Sequence, residues 1–324
     1  MPRPFVGIPS FLRSRILRED EAIDADVAVL GAPTDEGSPF IPGSRFAPRS
    51  IREQSMRFGA YDAGYYDADV DRTFLDYELS HDRIVDLGDA EVIPTAVEVS
   101  FDNITSLTRR ALSANAMPIV LGGDHAISFP VVRAFERPIQ VVHFDAHSDY
   151  APFQHGLQYT NAHAFRHISH MDHVLALTQV GIRGLRNPRV WVEDSRADGN
   201  AVVTLQRYNE LGPTGLAESV LADTPIYVSV DIDVLDMSLV PGCVSAEPNG
   251  MLYADLHNAL SALAVSHEIV GMDLVEVNPM TDVGSGVTSY LAAHTIVRFL
   301  GVICDQPWWK QRRAARHEDN GGAS

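Results

Sequence analysis

Short apolar runs rich in β-branched residues alternate with longer segments of helical periodicity along most of the 324-residue chain. Eight of these runs have the length and composition of buried strands, and they occupy residues 26–33, 84–89, 118–123, 139–145, 174–182, 201–205, 226–233 and 268–274. Helix-like stretches such as 95–116 and 288–303 lie between them. Because this alternation is typical of βαβ units, the sequence predicts a three-layer α/β/α fold with an eight-stranded, mainly parallel sheet.

No linker rich in Pro, Gly or Ser interrupts this pattern, so we predict one domain over residues 1–311. Residues 312–324 are polar and lack an apolar face, which predicts a flexible C-terminal tail. No apolar run approaches the roughly 20 residues that cross a bilayer, and the first residues lack the apolar core of a secretory signal. We therefore expect a cytoplasmic protein without a membrane partner.

The formal net charge of −18 argues against nucleic acid as a partner, because the phosphate backbone is itself negative. Acidity of this kind suits cationic ligands, although it is commonly a means of solubility. The two cysteines, Cys243 and Cys304, are too far apart for a redox pair and too few for a disulfide framework. We expect both to be reduced thiols.

Charged and imidazole side chains follow three of the predicted strands, at the point where each strand ends. They are Asp124 and His125 in "LGGDH", Asp145, His147 and Asp149 in "FDAHSDY", and Asp231, Asp233 and Asp236 in "SVDIDVLD". The exits of parallel strands all open at one edge of a sheet, so we expect these groups to converge there. His143 lies within its strand and is predicted to be a core histidine that faces away from the group.

Four of these carboxylates and two imidazoles form a set that is too large for one ordinary metal ion and suits two. A single aspartate at a strand end is usually a cap, but such groups on successive strand exits predict a metal site. Mixed oxygen and nitrogen ligands favour Mn, Fe, Co, Ni or Zn over Ca or Mg, and the set does not resemble a cysteine-rich structural zinc site. Two adjacent divalent ions lower the pKa of a water molecule between them to about 7, which predicts a hydrolytic centre.

Three motifs, "GGDHAIS", "FDAHSDY" and "SVDIDVLDMSLVPG", resemble the signatures of the ureohydrolases, the family of arginase, agmatinase and guanidinobutyrase. The resemblance continues in "GAPTDEGSPFIPGSRFAPRSIRE" (31–53) and "GMDLVEVNPMTD" (271–282). "IPSFLR" near the start is similar to the guanidinobutyrase and proclavaminate amidinohydrolase branch rather than to arginase. The chain as a whole resembles the agmatinase and guanidinobutyrase branch most. The resemblance implies an arginase-like fold and a hydrolase that cleaves a guanidino C–N bond to release urea and an amine.

The same resemblance implies two divalent metal ions per chain. It assigns His125, Asp145, Asp149 and Asp231 to one ion and His147, Asp145, Asp231 and Asp233 to the other, so that Asp145 and Asp231 bridge. Manganese is the metal that it implies, with nickel or cobalt as the alternatives. It also implies a homo-oligomer, a trimer or a hexamer.

The resemblance also implies catalytic roles for two further residues. Asp149 is expected to orient the attacking water as well as to bind metal, and Glu276 is expected to pair with the guanidinium of the substrate. Many relatives carry a histidine as proton shuttle where this chain has Asn161, so His163, two positions on, is the candidate proton donor. A histidine in a surface loop is the alternative interpretation of His163. Asp124 is interpreted either as a residue that orients His125 or as a turn cap.

The segment "YAPFQHGLQYT" (150–160) replaces the polar stretch with which arginases recognise an α-amino acid. It disfavours arginine and favours agmatine or a small guanidino compound such as 4-guanidinobutyrate. Guanidine or an alkyl-biguanide, with nickel as the metal, is a first alternative. A metal-bearing, non-catalytic subunit of a hetero-oligomer with a paralogue is a second, and an amidohydrolase for formimino substrates or a guanidine-binding module are weaker ones.

Overall fold

The computed structural model describes residues 7–58 and 64–321. Within them the strands are β1 Arg15–Ile16, β2 Val27–Ala32, β3 Tyr65–Asp67, β4 Arg72–Phe74, β5 Ile84–Asp89, β6 Met117–Gly122, β7 Ile139–Phe144, β8 Val174–Ile182, β9 Ala201–Thr204, β10 Ile226–Asp231 and β11 Ile269–Val275. The α-helices are α1 Ala47–Ser55, α2 Asp76–Ser80, α3 Val97–Ser113, α4 Ser128–Val132, α5 Ala164–Ser169, α6 Arg189–Ala197, α7 Leu205–Ser219, α8 Tyr253–Ser266, α9 Val287–Asp305 and α10 Pro307–Gly321.

Nine strands form one sheet in the order β1-β5-β2-β6-β11-β10-β7-β8-β9, and every neighbouring pair is parallel. The predicted α/β class and parallel sheet are confirmed, but the predicted count of eight is wrong by one. The ninth strand, β1, has two exposed residues that pair with β5, which is too short for a periodic pattern. The antiparallel pair of β3 and β4 was also not predicted, because strands of three residues are too short for a periodic pattern.

The strands at the centre of the sheet are buried at every position, namely β2, β6, β7, β10 and β11. Consecutive residues of a strand face opposite sides, so continuous apolar runs indicate helices on both faces. One apolar cluster joins the sheet to Ile51 of α1 and Ile296 of α9, and a second joins it to Phe101 of α3 and Val131 of α4. These two clusters make the three layers.

Helix α9 is long and apolar enough to cross a membrane by length and composition, an exception to the expectation from the sequence. It is a core helix, because 67% of its apolar window is buried inside the protein. Phe299 and Leu300 are among its fully buried residues, and both belong to the first apolar cluster.

Helix α10 extends into the segment that the sequence predicts to be a tail. It continues to Gly321, and Arg313 donates a hydrogen bond of 2.9 Å to the buried carboxylate of Glu78. Flexibility of residues 312–324 stays a prediction, as does a single domain over residues 1–311, and residues 322–324 lie outside the described part of the chain.

Candidate metal centre

His125 follows β6 with its Nδ1 atom facing three carboxylates. Nδ1 lies 3.1 Å from an oxygen of Asp145, 3.2 Å from one of Asp149 and 3.1 Å from one of Asp231. All four residues are buried. An imidazole nitrogen has one donor at most, so it satisfies only one of these oxygens. The three carboxylates therefore converge on one point beside Nδ1.

A second group adjoins the first through Asp145. The Nδ1 atom of His147 lies 3.0 Å from Asp233 Oδ2 and 3.4 Å from Asp145 Oδ1, whereas Asp145 Oδ2 faces His125. The six predicted ligands thus lie in two groups that share Asp145. Asp231 Oδ1 accepts the backbone N–H of Asp233 at 2.8 Å, which holds this pair at the end of β10.

The strand exits hold two site residues in unusual backbone conformations. Asp149 has φ 45° and Glu276 has φ 63°, both in the left-handed region that costs a non-glycine residue about 1–2 kcal/mol. Asp149 follows β7 and Glu276 follows β11 directly. Backbone strain of this kind is concentrated at functional sites, where the surrounding fold maintains it.

A chain of hydrogen bonds determines which nitrogen of His125 carries its proton. Tyr227 and Ser229 each donate a hydroxyl proton to Asp273 at 2.6 Å, and Ser229 Oγ lies 2.9 Å from His125 Nε2. Because the proton of Ser229 is committed to Asp273, Ser229 accepts from His125 Nε2–H. A neutral His125 therefore directs the lone pair of Nδ1 towards three carboxylates, an arrangement that requires a cation between them.

The charges of the cluster are not balanced by arginine or lysine. Among the described residues, the carboxylates of the two groups form ion pairs with histidines alone. Burial, with the charges of Asp233 and Asp145, raises the pKa of Asp231 well above its ordinary value. Burial lowers the pKa of His125, but its contacts with Asp145, Asp149 and Asp231 outweigh it and raise that pKa well above the usual range. In the metal-free chain a proton thus replaces part of the missing positive charge, and the donor set fits a pair of divalent ions.

Glu276 lies beside the first group. Its Oε1 atom accepts the backbone N–H of His125 at 3.0 Å and the side-chain amide of Asn161 at 3.2 Å. No hydrogen bond to Oε2 is present among the described residues, so this oxygen is free to accept from a ligand. Burial raises the pKa of Glu276 to about 7.

The sequence of the chain matches a known family over most of its length. The model of the arginase family matches residues 25–301. The chain belongs to the arginase family. Enzymes of this family hydrolyse C–N bonds of guanidino compounds and depend on a binuclear metal site, so this protein is a hydrolase of that class.

Two arginase-family relatives cover nearly the whole chain. Proclavaminate amidinohydrolase of Streptomyces clavuligerus is 35% identical over 299 residues, which are 89% of this chain and 90% of that protein. Guanidinopropionase of Pseudomonas aeruginosa is 34% identical over 317 residues, 94% of each chain. The solved structure of proclavaminate amidinohydrolase superimposes with a TM-score of 0.81 at 33% identity, covering 92% of this chain and 98% of that one. The ureohydrolase resemblance is thereby confirmed.

In this arginase-family chain, Asn161 and His163 lie in one short turn but have different surroundings. Asn161 contacts Glu276, whereas the ring of His163 is buried, with Nδ1 2.7 Å from Thr160 Oγ1, and stacks against Phe153. Burial lowers the pKa of His163. The surface-loop interpretation of His163 does not fit its burial, and its role in proton transfer stays a prediction.

Two other aspartates act as caps. Asp124 accepts the backbone N–H of Gly37 at 2.7 Å and that of Ala126 at 3.1 Å, so it caps a turn and does not contact the imidazole of His125. Asp236 accepts the backbone N–H groups of Ser238 and Gly250 at 3.0 Å. The contacts of Asp124 therefore agree with its interpretation as a turn cap.

Three residues near the cluster were missed or misjudged from the sequence. His143 does not face away, because its Nε2 lies 2.8 Å from Asp145 Oδ2, as residues two apart on a strand share a side. Ser229 also precedes a predicted ligand, Asp231, by two positions, so the same alternation predicts that it faces the cluster. Cys243 lies within reach of Asp231 and Asp233 as a buried free thiol, and no local pattern signals this.

Proposed function

We propose that this protein hydrolyses a small guanidino compound to urea and an amine at the cluster of His125, Asp145 and Asp231. The observation that carries the proposal is the convergence of three carboxylates on His125 Nδ1, with Glu276 beside them. This arrangement combines a metal-binding donor set with a free carboxylate oxygen for a cationic substrate.

The proposed ligand sets extend the two groups of the cluster by placing Asp231 in both. His125, Asp145, Asp149 and Asp231 would hold one ion, and His147, Asp145, Asp231 and Asp233 would hold the other. Manganese is the proposed metal, with nickel or cobalt as alternatives that the same donors accept. When bound, two such ions supply an acidified water molecule as nucleophile and stabilise developing negative charge.

The side chains around this centre bind and orient the substrate. Glu276 accepts hydrogen bonds from the planar guanidinium and holds its carbon towards the cluster, while Asn161 and the backbone of His125 fix the carboxylate. Asp149 orients the attacking water. An amide does not transfer protons at neutral pH, so we assign protonation of the leaving amine to His163 rather than to Asn161.

The proposed substrates are agmatine or a small guanidino compound such as 4-guanidinobutyrate, acted on by a cytoplasmic homo-oligomer, a trimer or a hexamer. The names of the relatives support small guanidino substrates, since they include guanidinopropionase and agmatinase. A second candidate is a metal-bearing, non-catalytic subunit paired with a paralogue. The observation that favours it is Asn161, an amide next to Glu276 where many relatives carry a histidine.

Urea release by the purified chain tests the proposal. The assay compares agmatine, 4-guanidinobutyrate, 3-guanidinopropionate, arginine, guanidine and dimethylbiguanide after loading with Mn, Ni or Co. We expect turnover of a small guanidine, and we expect Glu276→Gln to lower kcat/KM about tenfold to hundredfold, because it removes a charge-assisted pair. Glu193→Gln, on the exposed side of α6, is the control.

Measurement of the number of metal ions bound per chain distinguishes a loss of substrate binding from a loss of metal. If Glu276→Gln retains two ions per chain and loses turnover, the substrate role of Glu276 stands. Two bound ions with no urea from any pairing of metal and substrate would reject the stand-alone enzyme and favour the non-catalytic subunit.

A further inference from the structure

The cluster opens to solvent on one side. The side chains of His147, Glu247 and Asp149 are 13%, 14% and 11% exposed, whereas those of the other predicted ligands are 4% exposed or less. His147 and Glu247 therefore border one entrance through which a substrate can reach the cluster. Whatever lines this entrance contacts the part of the substrate that trails behind the guanidinium.

The loop after β8 forms one wall of the entrance and is fixed against the cluster. A side chain at Gly184 would lie 2.8 Å from the ring of His147, so only glycine permits this approach. Asn187 accepts the backbone N–H of Ser148 at 2.7 Å and donates to the carbonyl of Ala146 at 3.0 Å. These contacts hold the intervening residue, Arg186, at the entrance.

The guanidinium of Arg186 is hydrogen-bonded through some of its nitrogens and not through others. Its Nε donates to Glu247 Oε1 at 3.0 Å, and its Nη2 lies 3.2 Å from His147 Nε2. Nη2 also donates to the carbonyl of Ser245. Within the described residues Nη1 has no partner, and the side chain is 57% exposed. The guanidinium is thus anchored at the entrance and still able to bind a ligand.

This wall carries a net positive charge in an acidic protein. Beside Arg186 lies Arg183, which donates to five backbone carbonyls at 2.9–3.3 Å and pairs with no carboxylate among the described residues. The negative charge of Glu247 balances the positive charge of one of these two arginines, Arg186. Two divalent ions would neutralise the four cluster carboxylates, so the positive charge of the wall persists when metal is bound.

We propose that Arg186 binds the carboxylate of an ω-guanidino acid, which makes compounds such as 4-guanidinobutyrate the substrate class and agmatine a poor substrate. The inference rests on the proposed function. Glu276 takes the guanidinium at the closed side of the cluster, and the free nitrogen of Arg186 takes the anionic tail at the open side. A cationic tail such as that of agmatine meets repulsion from both arginines at the same place.

The test compares 4-guanidinobutyrate with agmatine as substrates of metal-loaded wild type, Arg186→Gln and Arg186→Lys. We expect Arg186→Gln to lower kcat/KM for the carboxylate about tenfold or more, through KM, and to leave or raise that for agmatine. Arg186→Lys should restore part of the preference, since it keeps the charge. Arg189→Gln is the matched control, because Arg189 is 90% exposed and pairs with Glu193 on α6.

Any other result of this comparison rejects either the carboxylate subsite or the proposed function on which it rests. An equal loss for both substrates would mean that Arg186 merely positions Glu247 and His147, and a wild-type preference for agmatine would reject the subsite. If no guanidine is hydrolysed, the proposed function fails, and calorimetric binding of 4-guanidinobutyrate still tests Arg186. Equal affinity of wild type and Arg186→Gln in that measurement would overturn the carboxylate subsite.

Discussion

At the scale of single residues, a relay of hydrogen bonds that joins Tyr227, Asp273 and Ser229 orients His125, a proposed metal ligand. Ser229 accepts from His125 Nε2–H and leaves Nδ1 to the cluster. Without this acceptor the imidazole would retain the freedom to rotate or to change its tautomer. Partners of this kind raise the affinity of a ligand for its metal without touching the ion.

Ser229→Ala tests the relay. We expect metal affinity to fall about tenfold to hundredfold, because His125 loses the acceptor that sets its tautomer. The measurement is competition for the metal with a chromophoric chelator. Ser106→Ala removes an exposed hydroxyl from α3 and serves as control. Unchanged metal affinity in Ser229→Ala would show that packing alone orients His125.

At the scale of elements, Arg52 joins α1 to the exit of β5. Its guanidinium donates to both oxygens of Asp86 at 2.8 and 2.9 Å and to the carbonyl of Gly88 at 2.8 Å. Asp86 also accepts the backbone N–H of Phe11, which ties the N-terminal segment to the same point. Arg52 and Asp86 are 6% and 1% exposed, so each neutralises a charge that water does not reach.

Replacement of Arg52 by methionine should lower the free energy of unfolding by about 3–5 kcal/mol, because it leaves the buried carboxylate of Asp86 unpaired. Denaturant unfolding in the presence of a chelator measures this loss apart from any effect on metal binding. Arg49→Met lies one turn earlier on α1 and breaks an exposed pair with Glu53. It should cost less than about 1 kcal/mol. A similar small loss for Arg52→Met would mean that water or a rearranged partner solvates Asp86.

At the scale of the whole molecule, we expect the cluster to make stability depend on metal. Four buried carboxylates meet at the exits of β7 and β10, in the middle of the sheet. The folded, metal-free chain bears their mutual repulsion, and burial together with the charges of Asp233 and Asp145 raises the pKa of Asp231. A ligand that binds the folded state alone stabilises that state according to its concentration relative to Kd.

Removal of metal with a chelator should therefore lower Tm by about 4–5 °C, as expected for a chain of this size that loses roughly 3 kcal/mol. Differential scanning calorimetry at several metal concentrations checks this dependence. Asp231→Asn should abolish the response and raise the Tm of the metal-free protein, since asparagine is neutral without the proton uptake on folding that the raised pKa of Asp231 imposes. A metal response retained in Asp231→Asn would exclude Asp231 as a shared ligand.

Most of the strands and the candidate ligands could be predicted from the sequence because they depend on local patterns. A strand covered on both faces reads as a continuous apolar run, and all eight predicted strands are present in the sheet. Side chains at the exits of neighbouring parallel strands share one edge, so the six candidate ligands could be named before their distances were known. The same pattern failed for β1, whose two residues are too few to carry a period.

Contacts between distant segments were decided by tertiary structure. Ser229 meets His125 across 104 positions of sequence, and Arg186 meets Glu247 across 61. No periodicity encodes such pairs, because they arise when separate strand exits and loops pack at one edge of the sheet. The sequence by itself determined the fold class and the chemical character of the site. The direction of each imidazole and the charge of the entrance were determined by packing, since both depend on which side chains from remote segments approach within hydrogen-bonding distance.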